Sequence, residues 1–162
     1  MGDSVEFKLT GVEQLVGKLR AVTYDLKYKG GRAALRKAAG VVVGAAKANA
    51  RRINDPQTAE SISDNIAARW NGRLFKRTGD LGFRVGVLGG ARASKNESGN
   101  SNPGGQTYHW RFIEFGTSRI AAVPFMRPAL ADNIDAATNA FIVNYEKAID
   151  RALKRAKKAS IK

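Results

Sequence analysis

Within the stretch Ser61 to Leu88, Ile66-Ala67-Ala68-Arg69-Trp70 and, after a connection through Asn71-Gly72 and Thr78-Gly79, Phe83-Arg84-Val85-Gly86-Val87 read as an antiparallel strand pair. The second member alternates apolar and polar residues as a half-buried strand does, and turn-forming residues bound both members. Most of the chain on either side of this pair has helical periodicity. The expected class is therefore α+β: a small antiparallel sheet flanked by two N-terminal helices and a long C-terminal helix.

On the N-terminal side, Val5-Glu6-Phe7-Lys8-Leu9 alternates like a further strand before the break at Thr10-Gly11. Leu15, Leu19, Val22 and Leu26 then follow at helical spacing. Lys29-Gly30-Gly31 is expected to separate this helix from a second one, in which Leu35, Ala38, Ala39, Val42, Ala46 and Ile53 make a narrow small-residue stripe. Asn54-Asp55-Pro56 should end that helix. Arg32, Arg36, Lys37, Lys47, Arg51 and Arg52 are placed outward on it, with no acid between Arg32 and Ile53.

On the C-terminal side the chain changes character. Ser94 through Thr107 contains no aliphatic or aromatic residue, so 89–107 is expected to form a long flexible loop acting as a contact arm. Tyr108-His109-Trp110-Arg111-Phe112-Ile113-Glu114-Phe115 fits a short helix, with a strand as the alternative, and Gly116 ends it as a helix C-cap does. Pro128 suits the first position of a helix, where its missing N–H has no intrahelical partner. Ile134, Ala137, Phe141, Tyr145, Ala148 and Ala152 continue as the C-terminal helix. Its basic end, 151–162, holds Arg151, Lys154, Arg155, Lys157, Lys158 and Lys162, with no acid after Asp150. Cations there are favourable with the helix dipole in any case. The whole of 1–162 is expected to be a single domain.

The inventory argues against catalysis. The chain has no cysteine, so thiolate chemistry and disulfides are absent, and its one histidine, His109, lies in an aromatic run that favours packing over general-base work. Acids are scattered without metal-ligand spacing, so no metal or other cofactor is expected. Gly86-Val87-Leu88-Gly89-Gly90 lacks the spacing and Lys-Ser/Thr ending of a phosphate loop. No signal peptide, membrane span or small-molecule substrate is foreseen. The conspicuous property is charge: 28 Lys and Arg against 14 Asp and Glu give +14. That imbalance calls for a polyanion or an acidic surface as partner.

Glu114-Phe115-Gly116-Thr117-Ser118-Arg119 followed by Pro124-Phe125-Met126-Arg127-Pro128-Ala129-Leu130 resembles the tail-completion, or minor tail component, family of long-tailed bacteriophages. Weaker features agree in order along nearly the whole chain, with a departure at Thr58-Ala59-Glu60-Ser61. The resemblance implies a structural virion protein, made in the host cytoplasm, that forms a ring, typically a hexamer, at the head-tail junction. Implied partners are further copies of itself, the head connector, and tail tube or tail terminator proteins, with DNA in the lumen as a further candidate. In that frame Phe115 and Phe125 are expected as core anchors and Gly116 and Pro124 as backbone-shaping positions. Arg119 and Arg127 would fix the motif or a neighbouring subunit. Arg32, Arg36, Lys37, Arg51, Arg52, Arg151, Lys154, Arg155, Lys157 and Lys158 are the expected docking surface. The alternative reading is a non-specific nucleic-acid-binding protein.

Overall fold

A computed structural model describes residues 23–53, 61–88, 102–105 and 107–160. The expected first strand at 5–9, helical positions 15–22, the break at 54–56, the departure at 58–60 and most of the arm at 89–107 lie outside the described residues.

The described chain opens with a wide helical turn, Asp25–Gly30, that runs without interruption into α1, Gly31–Arg51. Gly30-Gly31 is thus no break, contrary to expectation: both residues have right-handed helical backbone angles. Close packing accounts for the second glycine, because a Cβ on Gly31 would stand 2.9 Å from Leu81 Cδ1 and 3.9 Å from the Tyr145 ring. A short helix α2, Ile62–Asn65, capped by the Ser61 hydroxyl, leads into β1, Ile66–Trp70. Next comes α3, Gly72–Thr78, and then β2, Phe83–Val87.

The two strands pair antiparallel, with Ile66 opposite Val87 and Trp70 opposite Phe83, as the alternation required. Their connection is more than a turn. Asn71 accepts the Leu74 amide at its side chain, and Gly79 closes the helix in the left-handed region at φ 75°. The pair forms a two-stranded sheet whose inner face, Ile66 and Val87 with Val85, packs on α1.

The short helix expected after the arm is present as α4, Trp110–Phe115. The C-terminal helix is divided: α5 spans Met126–Ala131, a break falls at Asp132-Asn133, and α6 spans Ile134–Ser160. Among the described residues the broadest packing joins α1 to α6. Gly31 faces Tyr145, while Ala137 shares a groove with Ala38, Ala39 and Val42, so the two helices run antiparallel. Ala46, Ala50, Ile62, Ile66, Val87, Phe125 and Ala129 make the core. Small residues on α1 admit close approach, and Phe125 fills the space they leave. The architecture is the expected α+β one, mostly helical, with a small antiparallel sheet and a long C-terminal helix.

Candidate functional site: a carboxylate clamp beneath an exposed loop

A helix leaves its first amides without intrahelical acceptors. In α5 those amides belong to the motif Phe125-Met126-Arg127, and all are taken by one side chain. Glu114 Oε2 accepts from Phe125 N at 2.7 Å and Met126 N at 2.9 Å, and Oε1 accepts from Arg127 N at 3.0 Å. The next residue, Pro128, has no N–H to satisfy. Pro128 is therefore the third residue of its helix and not the first, yet it serves the purpose that suits proline to a helix start.

Arg127 completes the clamp. Its Nε donates to Glu114 Oε1 at 3.2 Å and its Nη2 to the Glu114 carbonyl at 2.7 Å, while its guanidinium lies 5.2 Å from the Phe115 ring centroid. Glu114 is 1% exposed. Burial alone pushes its carboxyl up, but the amides of Met126, Phe125 and Arg127 together with the Arg127 guanidinium outweigh it and hold the group below its ordinary value. Glu114 is thus a buried carboxylate satisfied as an anion, with the helix dipole adding in the same sense.

Between α4 and α5 the backbone is shaped by two devices. Gly116 has φ 73° and ψ 178°, and a Cβ there would come within 2.9 Å of Ala122 N. The Thr117 hydroxyl accepts from Arg119 N at 3.2 Å and Ile120 N at 3.0 Å, while Thr117 N donates to Ile120 O. Val123 N donates to Ile113 O at 2.8 Å and closes the base of the loop. The result is a short, stiff loop, 117–124, all of it exposed.

The two phenylalanines of the motif part company. Phe125 is 0% exposed, as expected of a core anchor, and its carbonyl accepts from Asn49 Nδ2. Phe115 is 58% exposed and is not a core anchor. The helical register gives the reason: Trp110, Ile113 and Glu114 occupy the inward side of α4, which turns Phe112 and Phe115 outward. Ile120 and Val123 in the loop and Leu130 on α5 are likewise exposed large apolar side chains. Pro124, Ser118 and Arg119 are exposed, and Arg127 makes its contacts with Glu114 and Phe115.

The far end of the polar arm is firmly attached. Asn65, fully buried, accepts from Gly104 N at 2.9 Å and donates to Gly105 O at 2.9 Å and Thr107 Oγ1 at 2.8 Å. Ser61 N donates to Gly104 O, and a Cβ on Gly104 would overlap the Ser61 carbonyl.

The basic residues do not form one surface. Arg32, Arg36 and Lys37 flank a groove beside the sheet, whereas Arg51 lies 19 positions further along α1, about 28 Å away at 1.5 Å per residue. Arg151, Lys154, Arg155, Lys157 and Lys158 are exposed on the stretch of α6 that continues past Tyr145 and therefore beyond Gly31. Among the described residues no group of three or more His, Asp or Glu is placed to hold a metal, and no helix is long and apolar enough to cross a membrane.

Residues 13–116 match the model of the family described as "Bacteriophage HK97-gp10, putative tail-component". The chain belongs to this family. Neither the curated proteins nor the solved structures hold a match to it. Membership makes the chain a structural component of the bacteriophage tail, found in the virion and in contact with other phage structural proteins, and points away from catalysis. The matched span reaches Glu114, Phe115 and Gly116 and stops short of Phe125 and Arg127. The partners of the clamp thus lie beyond the region by which the family is recognised, and no local sequence signal reveals that Glu114 caps a helix eleven residues on.

Proposed function

We propose that this tail component assembles as a ring, of six copies in keeping with the resemblance, at the head end of the tail, where it completes the tail and joins it to the head connector. The observation that carries this reading is the loop 117–124, stiffened by Gly116 and Thr117 over the Glu114 clamp, carrying exposed Ile120 and Val123, and preceded in the chain by exposed Phe112 and Phe115 and followed by exposed Leu130. Apolar side chains gathered on a rigid backbone mark a protein interface. A ring requires a heterologous contact that closes, and a preformed loop seated on the adjacent copy supplies one side of it.

The test is a phage that lacks the protein. DNA-filled heads and full-length tails should accumulate unjoined, or with irregular upper tail ends, while synthesis of the other proteins continues. Purified protein added to such an extract should restore joined particles with a dose dependence steeper than first order. Normal joined particles in the knockout would end the proposal.

A further inference from the structure

The groove between the start of α1 and the sheet has a composition that tail assembly does not explain. It measures about 1090 Å³ and is lined by Lys29, Arg32, Ala33, Arg36, Lys37 and Gly40 from the helix side, with Ala68, Arg69, Trp70 and Phe83 from the strands. Among the described residues no acid lines it. Lys29, in the turn before α1, and Arg32 and Arg36 recur at helical spacing with Lys37 beside the last, so Lys29 to Lys37 forms a row about 12 Å long. Arg69 stands directly opposite Arg84 on the face of the strand pair turned away from α1, both exposed, and of the two only Arg69 reaches the lining of the groove. Like charges in that position destabilise a sheet unless something neutralises them. Neither has an ion-pair partner among the described residues, and the same is true of Arg36 and Lys37. The floor is aromatic: Trp70 meets Phe83 edge-on at 5.5 Å, and the Arg32 guanidinium lies over the Trp70 ring at 4.3 Å.

We infer that this groove binds the phosphodiester backbone of DNA. A row of cations along one helix edge can meet several successive phosphates, and guanidinium forks pair with phosphate oxygens in a bidentate manner. Half-buried ring surface beside them suits a nucleic acid, whose bases and sugars present flat apolar faces, better than it suits a run of carboxylates. Gly40, with nothing within 4 Å of the position a Cβ would take, leaves the end of the row open for close approach. The inference goes beyond tail joining and does not depend on it.

The test uses the full chain with a random-sequence duplex of about 20 base pairs, followed by anisotropy over a range of salt concentrations. The variant Arg36→Gln with Lys37→Gln and Arg69→Gln removes three groove cations and spares the Arg32–Trp70 stack. Its control, Lys154→Gln with Arg155→Gln and Lys158→Gln, removes the same charge from the end of α6. Each phosphate contact contributes about 0.9 to the slope of log K against log salt, so the groove variant should flatten that slope by roughly 2 to 3 and weaken binding at least about tenfold at physiological salt. The control should change both far less. Equal losses in the two variants would reduce the effect to net charge and overturn the inference. So would a groove-dependent affinity for polyglutamate with none for DNA, which would make the partner an acidic protein. A groove variant that loses DNA but still restores joined particles would separate this result from the joining role.

Discussion

Glu114 and Arg127 hold each other through unequal means: the carboxylate is 1% exposed and the guanidinium 60%. Removing the carboxylate strands three amides, that of Phe125 buried and those of Met126 and Arg127 partly buried, and a buried amide left unpaired costs about 1–3 kcal/mol. Removing the guanidinium breaks a partly solvated pair, and such pairs contribute about 0–1 kcal/mol. Glu114→Ala should therefore lower unfolding stability by about 3 kcal/mol or more, and Arg127→Ala by about 1. Denaturant melting of both variants checks this. Equal losses would mean that the ion pair, and not the capping, holds α5.

The same clamp sets a pH dependence. The folded Glu114 carboxyl lies below its ordinary value of 4.5, so the unfolded chain binds its proton first as pH falls. The contribution is complete above that value and is lost as pH drops from there through the folded value. Wild type should lose stability across this acid window more steeply than Glu114→Gln, which cannot titrate. Parallel profiles would remove Glu114 from the explanation.

These two effects bear on what could be read from the sequence. The strands Ile66–Trp70 and Phe83–Val87 were legible because alternation is a local signal, and so was the helix ending at Phe115. The helix Gly72–Thr78 between the strands has local signals of its own, with Asn71 at its start and Gly79 past its end, and reading those residues as turn formers alone concealed it. Gly30-Gly31 misled for the opposite reason: glycine there answers to Leu81, fifty positions away, and not to the backbone of its own helix. Glu114 had no signal at all. An acid in an aromatic run is indistinguishable from a solvated one until the chain returns with three free amides.

Anchoring of the polar arm should rest on Asn65. Its side chain makes three hydrogen bonds to 104–107 from a fully buried position. Asn65→Ala leaves the buried Gly104 amide without its acceptor and should cost about 1–3 kcal/mol. It should also raise proteolysis within 102–107, read by limited digestion. A stability loss with no change in cleavage would mean that the attachment survives through Ser61 N and Gly104 O alone.

Gly44 lies on the exposed side of α1, with nothing within 4 Å of the position a Cβ would take. Glycine inside a helix is about 1 kcal/mol less favourable than alanine. Gly44→Ala should stabilise the isolated subunit by about that amount in denaturant melts. Destabilisation would show that the site is already covered within the subunit.

The separation of Phe125 from the loop it supports gives the last prediction. Phe125 is 0% exposed among Ala46, Ala50 and Ala129, so its truncation opens a cavity that small neighbours cannot close. Phe125→Ala should cost about 3–5 kcal/mol, a large share of a domain's stability. Ile120 and Val123 are 57% and 49% exposed, and replacing exposed apolar side chains seldom moves stability by more than about 0.5 kcal/mol. The double variant Ile120→Ser with Val123→Ser should therefore melt like wild type. If the loop is the contact between copies, the same variant should fail to restore joined particles and should remain monomeric by native mass measurement under conditions where wild type associates. The pattern to look for is a crossed one, with Phe125→Ala losing stability first and the loop variant losing assembly alone. A loop variant that melts normally and also joins heads to tails as well as wild type would remove 117–124 from the interface and with it the observation on which the ring proposal stands.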